Sequence, residues 1–201
     1  GLLIRRSATV AGGPELRSLA AERSRPGSRL LKLLPLSVLV LAGGIPTVDH
    51  VDVERYKGTW YQSSANPQFF SDDLVGVTAT YTLRDDGVVD VLNEGFVGDF
   101  DGPVDRIEGE ARVINEETNA SLSVDFFGSP LAQAYPSYNI VVLGDDDDYG
   151  YAAVTDPRYS SLFILSRTPQ MDPDLYQHIL DDLQEQGIPI DRLVLTPQQE
   201  R

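Results

Sequence analysis

A chain of 201 residues is long enough for one sizeable domain plus a short appendage. It contains no cysteine, which excludes a disulfide, a thiolate metal site, a thiol nucleophile and a lipid-bearing cysteine, and its two histidines, His50 and His178, exclude a histidine-rich metal centre. The formal net charge of −15 is uneven: seven of the 16 basic residues precede Ile45, leaving nine basic against 29 acidic residues after it, a surface that repels nucleic acid and anionic membrane.

Residues 1–32 are rich in Arg, Ser and Gly and show no sustained periodicity. A ten-residue apolar stretch follows, Leu33 to Ala42, with small residues Gly43 and Gly44 after it. A basic run before a short apolar core fits a secretory signal, and ten residues are too few to span a bilayer. Residues 1–45 therefore read as a leader with a disordered N-terminus and 46–201 as the folded domain, exported to the periplasm or beyond the cell. The competing reading is a disordered tail followed by an internal strand. Lys57 is the only lysine after Lys32. That fits either a high-salt proteome, where screening removes self-repulsion, or an acidic secreted protein.

From Val51 the pattern changes to short alternating runs. Val53 to Tyr56 reads as a helical turn leading into Gly58-Thr59-Trp60-Tyr61. There the tryptophan is expected to plug the narrow end of a small barrel, while Gly58 leaves room for a crossing segment. Strands follow at Thr59–Ser64, Val77–Leu83, Val88–Phe96, Arg106–Val113, Ala120–Phe127, Tyr138–Leu143, Tyr149–Thr155 and Leu162–Ser166. Val77 to Leu83 alternates strictly between apolar residues and Thr, giving one dry face and one wet one. Asp86-Gly87 supplies the positive φ of a hairpin turn, Asn66-Pro67 and Ser71-Asp72-Asp73 make a long first loop, and Asp145–Asp148 forms another turn. Eight strands at hairpin spacing point to an up-and-down barrel or a sandwich. Asp172-Pro173 then caps a helix that Gly187 stops, with Leu175, Ile179, Leu180 and Leu183 as the stripe facing the barrel. A short last strand covers Arg192–Leu195.

Gly58-x-Trp60, Thr155-Asp156 and Arg167 stand in the order of the three lipocalin markers. The stretches Arg55–Tyr61, Val77–Gly87, Phe126–Gly128 and Leu162–Pro169 resemble the bacterial outer-membrane lipocalins, close to apolipoprotein D. The resemblance covers about Val51 to Pro197. It implies an all-β protein: an eight-stranded antiparallel up-and-down barrel with one C-terminal helix packed outside and a lipid-sized cavity. It also implies that Gly58, Trp60, Thr155, Asp156 and Arg167 close the barrel, with Arg167 over Trp60. Bacterial relatives usually carry an acylated cysteine near the position of Leu41 to Gly44; without it, a soluble exported protein with no covalent lipid anchor is expected. Gln62, Ser63 and Ser64 also replace the charged residues usual after the Trp-Tyr pair.

With Trp60 facing in, Gln62 and Ser64 face in as well. The ligand-facing candidates are Gln62, Ala79, Tyr81, Val91, Asn93, Ala111, Val124, Phe126, Tyr138, Ile140, Tyr151 and Phe163. Gly109 and Ala111, being small, leave volume. Tyr81, Tyr138 and Tyr151 either meet a ligand head group near the mouth or serve as core aromatics with hydroxyls satisfied by backbone. No catalytic residue, metal or cofactor is assigned: the inward set holds no Asp, Glu, Lys or His, and four aspartates in a hairpin turn read as a solvated face rather than a calcium site. The expected partner is a small lipophilic ligand such as a fatty acid or lysophospholipid, with a second copy of the chain as another candidate partner. Each buried CH₂ contributes ~0.8 kcal/mol, so a long acyl chain reaches micromolar binding after its lost freedom is subtracted. Two alternatives remain: an enzyme on this fold acting on a lipophilic substrate, and a filled barrel acting through its acidic surface. Asn119-Ala120-Ser121 matches a glycosylation acceptor.

Overall fold

A computed structural model describes residues 44–68, 73–129 and 132–199. The expected leader up to Gly43, and Ser71 and Asp72 of the first loop, lie outside the described residues. Asp52 accepts hydrogen bonds from the amides of Glu54 and Arg55 and so caps a one-turn helix, α1 (Val53–Tyr56). Eight strands follow: β1 (Gly58–Ala65), β2 (Leu74–Leu83), β3 (Val89–Val97), β4 (Val104–Val113), β5 (Ser121–Asp125), β6 (Tyr138–Leu143), β7 (Tyr151–Thr155) and β8 (Leu162–Ser166). Each pairs antiparallel with its neighbours in sequence, and β1 pairs with both β2 and β8, closing the ring. Helix α2 (Pro173–Glu185) begins at the Asp172 cap and ends before Gly187, whose φ is +75°. A two-residue strand, β9 (Val194–Leu195), completes the order.

Period-two alternation divides the apolar side chains between two cores. On β8, Phe163 and Leu165 belong to the barrel interior, whereas Leu162 and Ile164 join Val141, Ala153 and Ile188 beneath α2. Ile179 and Leu183 of α2 are fully buried in that outer core, with Leu175 and Leu180 half-buried beside them. Burying one such side chain contributes ~1.5–3 kcal/mol at most.

The connections following β2, β4 and β6 gather with α1 at one end of the barrel; those following β1, β3, β5 and β7 gather at the other. The seam between β1 and β2 is short. Gly58 to Tyr61 pair with Tyr81 to Thr78, after which the C-terminal segment takes over. Ser64 and Ala65 pair with Leu195 and Val194, and the Gly76 amide donates to the Pro197 carbonyl. The Gln198 side chain donates to the carbonyls of Gln62 and Val77.

A bulge on β1 overturns one expectation. Register against β8 shifts between Gln62 and Ser64, so Gln62 sits opposite inward Leu165 while Ser64 sits opposite outward Ile164. Ser64 therefore faces α2, where it accepts a hydrogen bond from the Tyr176 hydroxyl at 3.0 Å.

Candidate functional site

The α1 end is stoppered. Trp60 is fully buried, and its indole N–H donates to the Tyr56 carbonyl at 2.9 Å. The Arg167 guanidinium lies 3.8 Å from the centre of the Trp60 ring. It also donates to five backbone carbonyls, those of Arg55, Tyr56, Lys57, Thr59 and Asp148. Gly58 is needed there for its backbone rather than for space. Its φ is +97°, while a Cβ built on it would stand 3.5 Å from Arg167 Nη1, an ordinary contact.

Tyr56, Tyr81 and Tyr138 form the floor. The Tyr138 hydroxyl bonds to that of Tyr56 at 2.8 Å and to that of Tyr81 at 3.0 Å. Burial pushes all three phenols up, Tyr81 to about 12. These hydroxyls satisfy one another at the stoppered end, not at the mouth and not through the backbone. A cavity of about 30 Å³ lies beside them, lined by residues that include Val89, Ala111, Leu122, Val124 and Ile140. That is room for about one water molecule.

Above the floor, Asn93 faces inward at the level of Ala79, between it and Ile107. Gln62, Val91, Val124, Phe126 and Phe163 share this interior, and Ile107, Val124, Phe126 and Phe163 are only half-buried. Gly109 leaves no empty volume: a Cβ there would stand 2.6 Å from the Phe126 ring, which already covers it. Two polar atoms on this stretch of wall, Asn93 Oδ1 and Ser63 Oγ at the β1 bulge, are buried with no hydrogen-bond partner among the described residues. A third, Asn66 Oδ1, lies just beyond the end of β1.

Two assignments are corrected. Tyr151 belongs to the outer core under α2, because Ala152 and Val154 take the inward positions of β7. The aromatic that enters the interior is Tyr149, whose hydroxyl accepts from the Asp52 amide at 3.0 Å. Thr155 and Asp156 do not close the barrel. Tyr151 pairs with Ser166, next to Arg167, and Thr155 pairs with Leu162, four residues away at the open end. There Asp156 organises the β7–β8 turn: burial raises its carboxyl, but bonds from Ser161, Ser160 and the Arg158 amide outweigh this and hold it below the usual carboxylate range.

The segment that does meet Arg167 at the stoppered end is Asp145–Tyr149. Arg55 donates to the carbonyls of Asp146 and Asp147 and lies 4.0 Å over the Tyr149 ring. Among the described residues no group of three or more His, Cys, Asp or Glu side chains converges for a metal. The Asn119 side-chain N–H₂ donates to the Val51 carbonyl at 3.0 Å, so the nitrogen a glycan would need is engaged. Arg55, Tyr56 and Tyr149 are the contributors that sequence reasoning missed. The available signal was the spacing of the first helical turn before Gly58, which puts Tyr56 four residues ahead of Trp60.

A closed eight-stranded antiparallel barrel, stoppered at one end, with a helix against its outer wall, is the architecture of a lipocalin. The lipocalin-like domain family matches residues 51–198, and the chain belongs to that family. Outer membrane lipoprotein Blc of Escherichia coli K12 is 35% identical over 181 residues, covering 84% of this chain and 98% of the relative. Mouse apolipoprotein D is 30% identical over 161 residues, covering 76% and 80%. The fold is shared with lobster apocrustacyanin A1 at a TM-score of 0.55 and 17% identity, covering 78% of this chain and 92% of that one.

Proposed function

We propose that this lipocalin takes up small, mainly apolar ligands in the open half of its barrel and carries, stores or sequesters them outside the cytoplasm. The observation that carries this reading is apolar surface inside the barrel that the described residues leave half-covered, at Ile107, Val124, Phe126 and Phe163 above a sealed floor. Relatives named lipoprotein and apolipoprotein support it. Export rests on the leader and on relatives named for the outer membrane. Fatty acids and lysophospholipids are the acyl compounds the family resemblance suggests. Binding is favoured over catalysis because the nominated lining carries no carboxylate, ammonium or imidazole to act as general acid or base.

One observation favours the second reading, a filled barrel: Phe126 occupies the gap left by Gly109, and the floor cavity holds about one water. Organic extraction of the purified protein followed by mass spectrometry separates the two. A co-purifying lipid, or saturable displacement of a bound apolar dye by acyl compounds, supports the carrier. The absence of both, no lipid in the extract and no dye displacement from folded protein, overturns it.

A further inference from the structure

Both the lining and the rim of the open half bear on the ligand's head group. Gln62, Asn93, Ile107, Val124, Phe126 and Phe163 offer it no cation. The cations at the stoppered end are engaged elsewhere: Arg167 on five carbonyls, Arg55 on the Asp146 and Asp147 carbonyls, and Lys57 Nζ on Glu54. Around the open end the described connections and adjoining strand ends carry Asp73, Asp99, Asp101, Asp105, Asp125 and Asp156 against Arg106 and Arg158. Asp191 and Arg192, adjacent before β9, cancel.

An anionic head group would thus approach an acidic rim and lose water without gaining a countercharge. Asn93 Oδ1, by contrast, is a buried acceptor with no donor, and Ser63 Oγ is a buried hydroxyl with no partner. The Asn93 acceptor gains only from a ligand that brings its own O–H or N–H, whereas the Ser63 hydroxyl can pair with a donor or with an acceptor.

We infer that the barrel selects acyl amphiphiles whose head group is uncharged and carries a hydrogen-bond donor, such as monoacylglycerols, long-chain alcohols and acyl amides, over fatty-acid anions. This rests on the carrier reading above and narrows it.

Three ligands of equal chain length test the inference: 1-monopalmitoylglycerol, methyl palmitate and palmitate, each displacing a neutral dye from delipidated protein at pH 8 and low salt. The monoacylglycerol is expected to bind about tenfold tighter than palmitate and about fivefold tighter than the ester, which has no donor. High salt should narrow the first gap, by screening the rim, and leave the second unchanged. Asn93→Leu should abolish the second gap while methyl palmitate still binds, with Asn93→Val as the substitute if the leucine variant does not fold. Palmitate binding as tightly as the monoacylglycerol at pH 8 overturns the charge argument. Equal binding of monoacylglycerol and ester to the unmodified protein overturns the role given to Asn93. Failure of all three to displace the dye refutes the carrier reading itself.

Discussion

Arg167 is the residue whose loss should harm the barrel most per atom removed. Its guanidinium stacks 3.8 Å from the Trp60 ring centre and donates to carbonyls of α1, of the adjoining β1 and of the β6–β7 turn, which lies far from both in sequence. The cation–π contact is worth ~0.5–2 kcal/mol. The five carbonyl contacts share one group, and several are reachable by water in its absence, so together they add about 2 kcal/mol rather than five full bonds. Arg167→Ala is therefore expected to cost about 3–4 kcal/mol, lowering the melting temperature by roughly 10 °C for a domain of this size. Arg167→Lys keeps a charge but not the planar fork and should recover less than half. Thermal unfolding by far-UV circular dichroism gives the loss. Because Trp60 is the only tryptophan, a red shift of its emission reports water reaching the stopper. A lysine variant melting within about 2 °C of the unmodified protein would refute the argument that the fork geometry matters.

Three further outcomes follow from the same contacts. Tyr56, Tyr81 and Tyr138 have folded pKa values above the free value near 10, so the folded state retains protons that the unfolded state releases; stability is complete below about pH 10 and falls as pH rises above it, by up to ~1.4 kcal/mol per pH unit for each tyrosine, the Tyr81 contribution being lost by about pH 12. Absorbance at 295 nm should show these three of the nine tyrosines ionising only as the protein unfolds. Gly58→Ala should cost about 1–2 kcal/mol in urea unfolding, since alanine must hold φ near +97°. Removing residues 194–201 deletes the Thr196, Pro197 and Gln198 bonds to β1 and β2, and hydrogen exchange at Gly76 and neighbouring β2 amides should accelerate by at least about tenfold.

The barrel was legible because its strands alternate and its turns carry Asp-Gly and Asp-Pro pairs, both local properties. The α2 stripe was legible for the same reason, and Ile179 and Leu183 are its buried centre. What sequence could not supply was register. The β1 bulge at Gln62 and Ser64 turns Ser64 outward, and Tyr149, held at φ +58° before β7 begins, breaks the alternation, so that it enters the barrel while Tyr151 faces the outer core. A one-residue slip moves a side chain to the opposite face. Thr155-Asp156 misled because a marker read in linear order says nothing about which end of the barrel its turn occupies. The mutual bonding of the three floor hydroxyls joins α1, β2 and β6, and no local pattern encodes it.

The near-absence of lysine has its own logic at the stoppered end. Arg55 and Arg167 grip the acidic β6–β7 turn by its carbonyl oxygens, at Asp146, Asp147 and Asp148. Each also lies over an aromatic ring, Tyr149 or Trp60. Reaching several carbonyls while stacking face-on requires a planar group with donors on more than one edge, which an ammonium is not. Because the grip is on backbone, it does not dictate the side chains of the turn, and a run of four aspartates can stand there without entering the stopper's geometry. The acidic excess can thus be set by the solvent in which the protein works, while the contacts that hold the floor stay with arginine.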